Sequence, residues 1–269
     1  MSVNIHPSAV VAKSAELGKD VVIGPFSIVE DDVIIGDGTA LDAHVIVGRG
    51  VKIGRGNKLF THCVIGRAPQ ILGLDDKTPI GGLQIGDGNS IREFVTIHPS
   101  MHHDGNTVIG SDNLLMIGVH LGHDCVLGDK IVISNYTQIS GHCHIQTGAW
   151  LSGMVAVHQF CTIGKWCYAA GCAGIGHDVP PFMIVSGQYP LRIRAVNKRG
   201  MRRAGLTEQQ QRQVEEAFGF IWRADKPVME QVKLLAQRDN GLDDNVRAIV
   251  ELMLNSGKQR FGRHLELYR

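Results

Sequence analysis

Residues 5–35 read IHPSAVVAKSAELGKDVVIGPFSIVEDDVII, and every sixth residue from Ile5 to Ile35 in this stretch is aliphatic. The series continues without exception to Ile65. It returns at Ile85, Ile91 and Ile97 and runs again from Ile109 to Ile175, with Ala169 as its weakest member. A small residue usually follows each aliphatic one after four positions. This period is typical of hexapeptide repeats, in which very short strands alternate with turns.

Repeats of this length stack as a solenoid, in which each coil covers the apolar edge of the next coil. In proteins that this pattern resembles, three hexads close one triangular coil of about 18 residues. The predicted fold is therefore mainly β, a parallel β-helix. Parallel crossovers are normally right-handed, so left-handedness is an expectation from the resemblance alone.

Two segments interrupt the period, near 71–84 and 98–107, and their polar, Gly and Pro residues predict loops at a coil corner. The period ends after Pro180 and Pro181. Thr207 and Gln210 form a capping-box pattern that predicts a helix to about Ala224, and further helical stretches are expected near 227–238 and 243–256. We therefore expect a β-helix domain at 1–190 and a helical domain at 191–269.

The composition indicates an ordinary globular protein and excludes several classes. The 269 residues carry a formal net charge of +1, so no nucleic-acid partner is expected. The sequence has neither a secretion signal nor an apolar run of the roughly 20 residues that a membrane span needs, so we expect a cytoplasmic protein without stable membrane insertion. The six cysteines are then expected to be packing residues rather than disulfides.

Positions one coil apart should lie above one another at about the 4.8 Å spacing of paired strands. This places three columns side by side: His123, Gly141 and Gln159; Asp124, His142 and Phe160; Cys125, Cys143 and Cys161. The cysteines occupy the small, inward slot of the repeat, and no close ligand pair such as C-x2-C accompanies them, so packing is favoured over metal binding.

His123 and Asp124 have the residue types of a general base and its orienting carboxylate. The alternative is a solvated turn histidine. Gly141, one coil above, is placed to supply an unobstructed N–H for an oxyanion, which favours a catalytic role.

Basic residues are concentrated between Arg192 and Arg203. A solvated basic face is the usual interpretation of such a cluster. The alternative is that these residues bind the phosphates of a nucleotide sugar and the acidic surface of a carrier protein. The six residues concerned are Arg192, Arg194, Lys198, Arg199, Arg202 and Arg203.

Several segments carry a more specific resemblance. They are LLMIGVHLGHDC at 114–125, AVHQFCTIG at 156–164, GHDVPPF at 176–182 and VNKRGMRRAGL at 196–206. With these segments the chain resembles the UDP-N-acetylglucosamine O-acyltransferases, which begin lipid A synthesis on a left-handed β-helix. The match spans nearly the whole length. The related N-acyltransferases carry an extra amino-terminal domain, for which this chain has no room before Ile5.

The resemblance implies roles for particular residues. His123 would take the proton from the 3-hydroxyl of the sugar, Asp124 would orient His123, and Gly141 would stabilise the oxyanion. Substrate contacts would come from Gln70, His120, His142, His158, Gln159, Asn197 and Arg203. Gly171 and Met116 would form the acyl-chain ruler, and Arg199 and Arg202 would contact the carrier protein or a phosphate.

The resemblance also implies partners: acyl carrier protein as donor through its phosphopantetheine, a UDP-sugar as acceptor, and a homotrimer with sites between subunits. No further cofactor and no metal is expected. Two departures concern the acceptor. The family's Asp and Lys are absent directly after Gln70, where Asp75, Asp76 and Lys77 follow a few residues later, and Arg199 stands where the family is often acidic. An oxygen and a 3-amino nitrogen both remain open as the acceptor atom.

Two other functions stay open. The interval from His98 to His103 is similar to that in gamma-class carbonic anhydrases, which share the fold and bind zinc, so a metal-dependent hydratase is one alternative. His98, His102 and His103 lie in or beside a loop, however, and complete no ligand set at clear spacing. The second alternative is a noncatalytic trimeric scaffold, because the fold by itself decides no function.

Overall fold

Short parallel strands form the main body of the protein in the computed structural model, which describes residues 3–75, 78–238 and 242–268. Asp76 and Lys77, two of the charged residues that follow Gln70 in the sequence, lie outside the described residues. The strands are β1 Asn4–Ile5, β2 Val10–Val11, β3 Glu16–Leu17, β4 Val22–Ile23, β5 Ile28–Val29, β6 Ile34–Ile35, β7 Ala40–Leu41, β8 Ile46–Val47, β9 Lys52–Ile53, β10 Lys58–Leu59, β11 Val64–Ile65, β12 Gly82–Ile85, β13 Ser90–Ile91, β14 Thr96–Ile97, β15 Asn106–Ile109, β16 Leu114–Leu115, β17 His120–Leu121, β18 Val126–Leu127, β19 Val132–Ile133, β20 Gln138–Ile139, β21 His144–Ile145, β22 Trp150–Leu151, β23 Ala156–Val157, β24 Thr162–Ile163, β25 Tyr168–Ala169, β26 Gly174–Ile175, β27 Met183–Ser186 and β28 Arg192–Val196.

The strands form three parallel sheets, because every third strand pairs with the next of its set. The first sheet begins with β1, the second with β2 and the third with β3. We call the turn from the first to the second sheet the first corner, that from the second to the third sheet the second corner, and that from the third back to the first sheet the third corner. The predicted left-handed parallel β-helix is confirmed.

Both loops project from the β-helix without disturbing the register between its stacked coils. Stacked residues such as Thr39 and Asn57 are 18 positions apart in sequence. Across the first loop Asn57 and Asn89 are 32 apart, and across the second Asn89 and Asn113 are 24 apart. Both irregular parts end earlier than predicted, because β12 begins at Gly82 and β15 begins at Asn106.

The aliphatic residues of the repeat line the interior, and from Ile23 to Ile175 they are almost completely buried. Cys125, Cys143 and Cys161 are buried among them, as the packing interpretation predicts. Burial raises the pKa of Cys63 to about 12, so its thiol stays protonated at neutral pH. Cys172 is exposed, and its assignment as a packing residue is wrong, because it lies at the outer tip of a corner turn.

Three buried asparagines form a ladder at the third corner, in the inward slot that other coils fill with residues such as Val21 and Ala149. The Asn57 side-chain oxygen accepts hydrogen bonds from the backbone and side-chain N–H groups of Asn89, and the Asn89 oxygen accepts one from the backbone N–H of Asn113. The ladder crosses both insertions. It satisfies buried polar groups that would otherwise destabilise the corner.

The period stops after Ile175, but the first sheet continues. Strand β27 pairs parallel with β25, and β28 returns antiparallel to β27, so the sheet extends past residue 190 to Val196. The helices that follow are α1 Lys198–Arg203, α2 Glu208–Trp222, α3 Val228–Ala236 and α4 Asp244–Ser256, and a 3-10 helix covers His264–Tyr268. The capping box predicted from Thr207 and Gln210 is present at the start of α2. The sequence pattern did not predict α1, which has only six residues with a glycine among them.

A buried carboxylate joins the helical segment to the end of the solenoid. Asp178 accepts hydrogen bonds from the Thr162 backbone N–H, from the Ser256 hydroxyl and from the backbone and ring nitrogens of His264. The carboxyl-terminal 3-10 helix is thereby held against the last coils. Within the described residues, no helix has both the length and the apolar composition needed to cross a membrane.

Candidate active site

A cleft lies at the second corner of the central coils, beside the two loops. Its volume is about 560 Å³. His123 follows β17, and His142 follows β20 one coil above. Asp124 and His142 adopt φ angles of 58° and 59°, the left-handed conformation of the turn, which directs both side chains outward beside His123.

His123 and Asp124 form a hydrogen-bonded pair, with His123 Nδ1 2.8 Å from Asp124 Oδ2. An ionised carboxylate can only accept, so Nδ1 carries the proton and Nε2 presents its lone pair. His142 lies edge-on to His123 at 4.9 Å between ring centroids, and it stacks on Phe160 at 4.6 Å. The imidazole of His123 is therefore held in one tautomer and one orientation, as a general base requires.

Asp124 is itself fixed by the second loop. The Ser100 hydroxyl donates to Oδ1, and the Met101 backbone N–H donates to Oδ2 at 3.1 Å. Burial raises the pKa of Asp124, but hydrogen bonds from His123, Ser100 and Met101 outweigh that effect and lower it to about 2. The carboxylate therefore stays ionised at neutral pH.

Gly141 lies directly against the His123 ring. A Cβ added at Gly141 would lie 2.6 Å from the nearest ring carbon and 2.7 Å from Nε2, closer than real Cβ contacts allow. The predicted stacking of His123 with Gly141 is therefore present. It supplies a steric reason for glycine at this position besides the proposed oxyanion contact.

The cleft also holds residues that periodicity did not single out. Its lining consists of Gln70, Ile71, Met101, His102, His123, His142, Gln159, Phe160 and Tyr268. Ile71, Met101 and His102 come from the two loops, and Tyr268 comes from the carboxyl-terminal 3-10 helix. None of these three segments carries a period. The position of the loops at a corner was a sequence signal for the loop residues, whereas nothing in the sequence signalled the approach of Tyr268.

Two other histidines assigned to substrate contact lie outside this lining. His120 is hydrogen-bonded to Thr96, and its pKa is lowered by burial and by the nearby His98 and His123, so it is neutral at pH 7. His158 is exposed, with its Nδ1 3.0 Å from the carbonyl oxygen of Gln159.

A second cavity, of about 330 Å³, lies where the first sheet meets α1. Asn197, Arg199 and Arg203 line it together with Trp150 and Trp166, and the Arg203 guanidinium lies 4.9 Å from the centre of the Trp150 ring. The Asn197 side chain accepts from the Gly200 N–H and donates to the Trp166 carbonyl, so it caps α1. The exposed Arg202 is not part of this lining.

Met116 and Gly171 lie at the first corner, away from His123. Met116 follows β16 and Gly171 follows β25, and both of these strands belong to the first sheet. A Cβ added at Gly171 would make only an ordinary contact, 3.5 Å from the Gly153 carbonyl oxygen. A larger side chain therefore fits here without displacing its own chain.

The histidines at 98, 102 and 103 do not act together. His98 is buried with Nδ1 bonded to the Arg67 carbonyl, and His103 is exposed beside Asp104. His98, His102 and His103 therefore form no common ligand set within the described part of one chain, because only His102 reaches the cleft. Among the described residues, one group has ligand atoms within 4.8 Å of one another, namely His102, Asp124 and His142.

A parallel β-helix with an oriented imidazole in a corner cleft defines the class of hexapeptide-repeat acyltransferases. A family model described as UDP-N-acetylglucosamine O-acyltransferase, domain 2, matches residues 178–261. An acyl-[acyl-carrier-protein]--UDP-N-acetylglucosamine O-acyltransferase from Herminiimonas arsenicoxydans is 39% identical over 89% of this chain and 91% of its own length. The enzyme of that name from Halorhodospira halophila is 38% identical over 94% of this chain and 96% of its own length.

Solved structures agree with these sequence relatives. The Francisella novicida UDP-N-acetylglucosamine acyltransferase superimposes with a TM-score of 0.88 at 33% identity, covering 96% of this chain and 92% of that one. The Arabidopsis UDP-N-acetylglucosamine acyltransferase gives 0.83 at 30% identity, covering 95% and 98%. This chain belongs to the UDP-N-acetylglucosamine O-acyltransferase family.

Proposed function

We propose that this chain transfers a 3-hydroxyacyl group from acyl carrier protein to the 3-hydroxyl of UDP-N-acetylglucosamine, the first step of lipid A synthesis, in the cytoplasm. The observation that carries the proposal is the His123–Asp124 pair, placed in the cleft of a chain that belongs to this family. The phosphopantetheine arm of the carrier protein supplies the thioester, and the reaction needs no other cofactor.

In the proposed mechanism, the sugar hydroxyl oxygen attacks the thioester carbonyl carbon while Nε2 of His123 takes the hydroxyl proton. The ionised Asp124 stabilises the imidazolium that forms. The Gly141 N–H stabilises the charge on the carbonyl oxygen of the tetrahedral intermediate. The C–S bond then breaks, and the departing thiolate receives the proton from His123.

The remaining site residues are assigned to recognition. Gln70, His142 and Gln159 line the cleft and are placed to contact the sugar or the thioester. His120 lies on the same coil as His123, and His158 lies directly before Gln159. Arg203 and the α1 cap at Asn197 lie at the second cavity, which suits the nucleotide, while Arg199 and Arg202 on exposed α1 suit an acidic carrier protein.

The separation of these groups supports a homotrimer. The cleft with His123 and the cavity with Arg203 share no lining residue, and the ruler residue Gly171 lies at yet another corner. One substrate molecule cannot easily reach all three surfaces of one subunit. In a cyclic assembly, each site combines the cleft of one subunit with the cavity and ruler of the next.

Co-expression of two differently tagged variants tests this assembly. Trimers that contain both His123→Ala and Arg203→Ala chains should recover about a third of the wild-type activity, because about one interface in three of such a trimer combines an intact cleft with an intact cavity. Each variant alone should remain nearly inactive. No recovery in mixed trimers, or a monomeric mass by light scattering, would contradict the shared site.

The acyl-chain ruler has its own test. Because Gly171 has room for a side chain, Gly171→Met should leave the fold intact and shift the preference towards shorter acyl chains by at least roughly tenfold in kcat/KM. Competition between carrier proteins with short and long 3-hydroxyacyl chains measures the shift. An unchanged preference would remove Gly171 from the ruler.

The decisive experiment incubates the protein with 3-hydroxyacyl carrier proteins of several chain lengths and with UDP-N-acetylglucosamine or its 3-amino analogue. Mass spectrometry should detect an ester of the 3-hydroxyl sugar. A product formed only with the amino sugar would change the acceptor, and no product with either sugar would refute the acyltransfer proposal. Near-full activity in His123→Ala would retain the reaction but refute the assigned base.

A further inference from the structure

We propose that the cleft binds a divalent transition-metal ion such as Zn²⁺ through His102, Asp124 and His142, and that the bound ion inhibits acyl transfer. The inhibitory part rests on the proposed function, whereas the binding part does not. Two imidazoles and one carboxylate are a ligand set that zinc prefers.

The geometry of the three side chains favours a metal ion. Their ligand atoms lie within 4.8 Å of one another, and His142 Nε2 is 3.9 Å from Asp124 Oδ2. Ligands bound to one zinc ion at about 2.1 Å lie roughly 3.4 Å apart, so the widest pair in the set contracts by up to about 1.4 Å. His102 is exposed on the second loop and can make this movement.

The other two ligands are held firmly. His142 is stacked against Phe160, and Asp124 is fixed by Ser100 and Met101 of the second loop. An entering ion therefore meets two positioned ligands and one adjustable ligand. The cleft is open to solvent, and its lining leaves space beside the set for water molecules to complete the coordination.

Inhibition follows because Asp124 would be both a metal ligand and the carboxylate that orients His123. Its Oδ2 atom accepts the hydrogen bond that orients His123. A metal ion bound to this atom withdraws the carboxylate from His123 and places positive charge beside an imidazole that must become an imidazolium. The ion therefore opposes proton transfer even where the substrate still binds.

Isothermal titration of the chelator-treated trimer with Zn²⁺ tests the binding, and the acyl-transfer assay with the same Zn²⁺ series tests the inhibition. His102→Ala removes a ligand, whereas His103→Ala removes a neighbouring exposed histidine that pairs with Asp104. Each variant is compared with its own zinc-free rate. Loss of a direct ligand should weaken zinc binding and raise the inhibitory concentration by roughly tenfold or more, because even outer partners of metal ligands change affinity by that factor.

The expected result is one zinc ion per subunit in the wild type and in His103→Ala, weaker binding in His102→Ala, and recovery of activity on chelation. Equal affinity in all three proteins would overturn the proposed ligand set. Tight binding that leaves the transfer rate unchanged would overturn the inhibitory role. A protein that binds zinc but transfers no acyl group would refute the proposed function and leave the binding site standing.

Discussion

Asp32 and Asp124 occupy equivalent positions of the repeat, three residues after a strand of the second sheet, yet their surroundings differ. Both adopt the left-handed conformation, with φ angles of 60° and 58°. Asp32 lies on amino-terminal coils that carry no loop at the second corner, which we call the bare corner. Solvated ion pairs such as Arg49–Asp31 lie there. Asp124 lies beneath the second loop and is hydrogen-bonded to His123, Ser100 and Met101.

The difference shows that the repeat determines where the side chains lie, whereas the loops supply the contacts that give Asp124 its orienting role. Exposed ion pairs contribute little to stability, and the bare corner can change without consequence for the site. At the corner beneath the second loop, partial burial and the hydrogen bonds from Ser100 and Met101 make the same kind of carboxylate a strong orienting group. Four changes, in order of expected effect, test this comparison.

The largest effect is expected from paired substitutions of the two aspartates. Asp124→Asn removes the negative charge and favours the wrong tautomer of His123, so kcat/KM should fall by roughly 10²–10⁴. Asp32→Asn should leave kcat/KM unchanged. Steady-state kinetics on folded trimers measures both. An Asp124→Asn enzyme within about threefold of wild type would show that the carboxylate does not orient the base.

A second test concerns the contact between Gly141 and His123. In Gly141→Ala the added Cβ must displace the imidazole, and a displacement of about 1 Å can reduce kcat roughly 10²-fold. Gly153→Ala is the matched control, because its Cβ would lie 3.4 Å from the Asn135 carbonyl oxygen. If both variants keep wild-type kcat, the close packing at Gly141 is irrelevant to catalysis.

The contribution of the second loop is smaller and can be isolated at Ser100. Ser100→Ala removes one hydrogen bond to Asp124, so kcat should fall by about tenfold, the equivalent of one charge-assisted hydrogen bond. Ser14→Ala provides the control, because Ser14 hydrogen-bonds Asp31 at the bare corner. An equal response of the two variants would mean that the loop does not distinguish the corners.

The smallest effect concerns the dependence of stability on pH. Burial, and secondarily the charge of His264, lowers the pKa of His144 from its usual 6.5. The unfolded chain therefore binds a proton more readily than the folded one, and this residue's contribution to the free energy of unfolding declines as pH falls below about 6.5.

His144→Gln should accordingly lose less stability than wild type when the pH falls from 7.5 to 5.5. These two pH values lie about one unit above and below the usual histidine pKa of about 6.5. Urea denaturation at both values measures the difference. His6→Gln, at an exposed histidine, should retain the wild-type slope. A slope unchanged in His144→Gln would argue against a neutral, half-buried imidazole.

The sequence predicted the features that follow from the six-residue period. It did not predict contacts made by segments that lie outside the repeats. Periodicity located the strands and stacked His123 on Gly141, because both follow from a constant repeat. It could not find Ser100 or Tyr268, which approach the cleft through segments without a repeat. Asn197 was assigned to substrate contact from the resemblance, whereas in the structure its side-chain amide caps α1. This role could not be predicted, because α1 is too short to be recognised from the sequence pattern.

The asparagine ladder has a consequence for chain entropy. It joins coils whose stacked residues are 32 and 24 positions apart, instead of 18, so longer segments must close before the ladder forms. The closure cost grows only with the logarithm of segment length, and the longer segment adds about 0.5 kcal/mol. Insertions at the second corner therefore destabilise the fold only slightly. At this corner the solenoid can acquire or exchange whole recognition segments while its core stays unchanged.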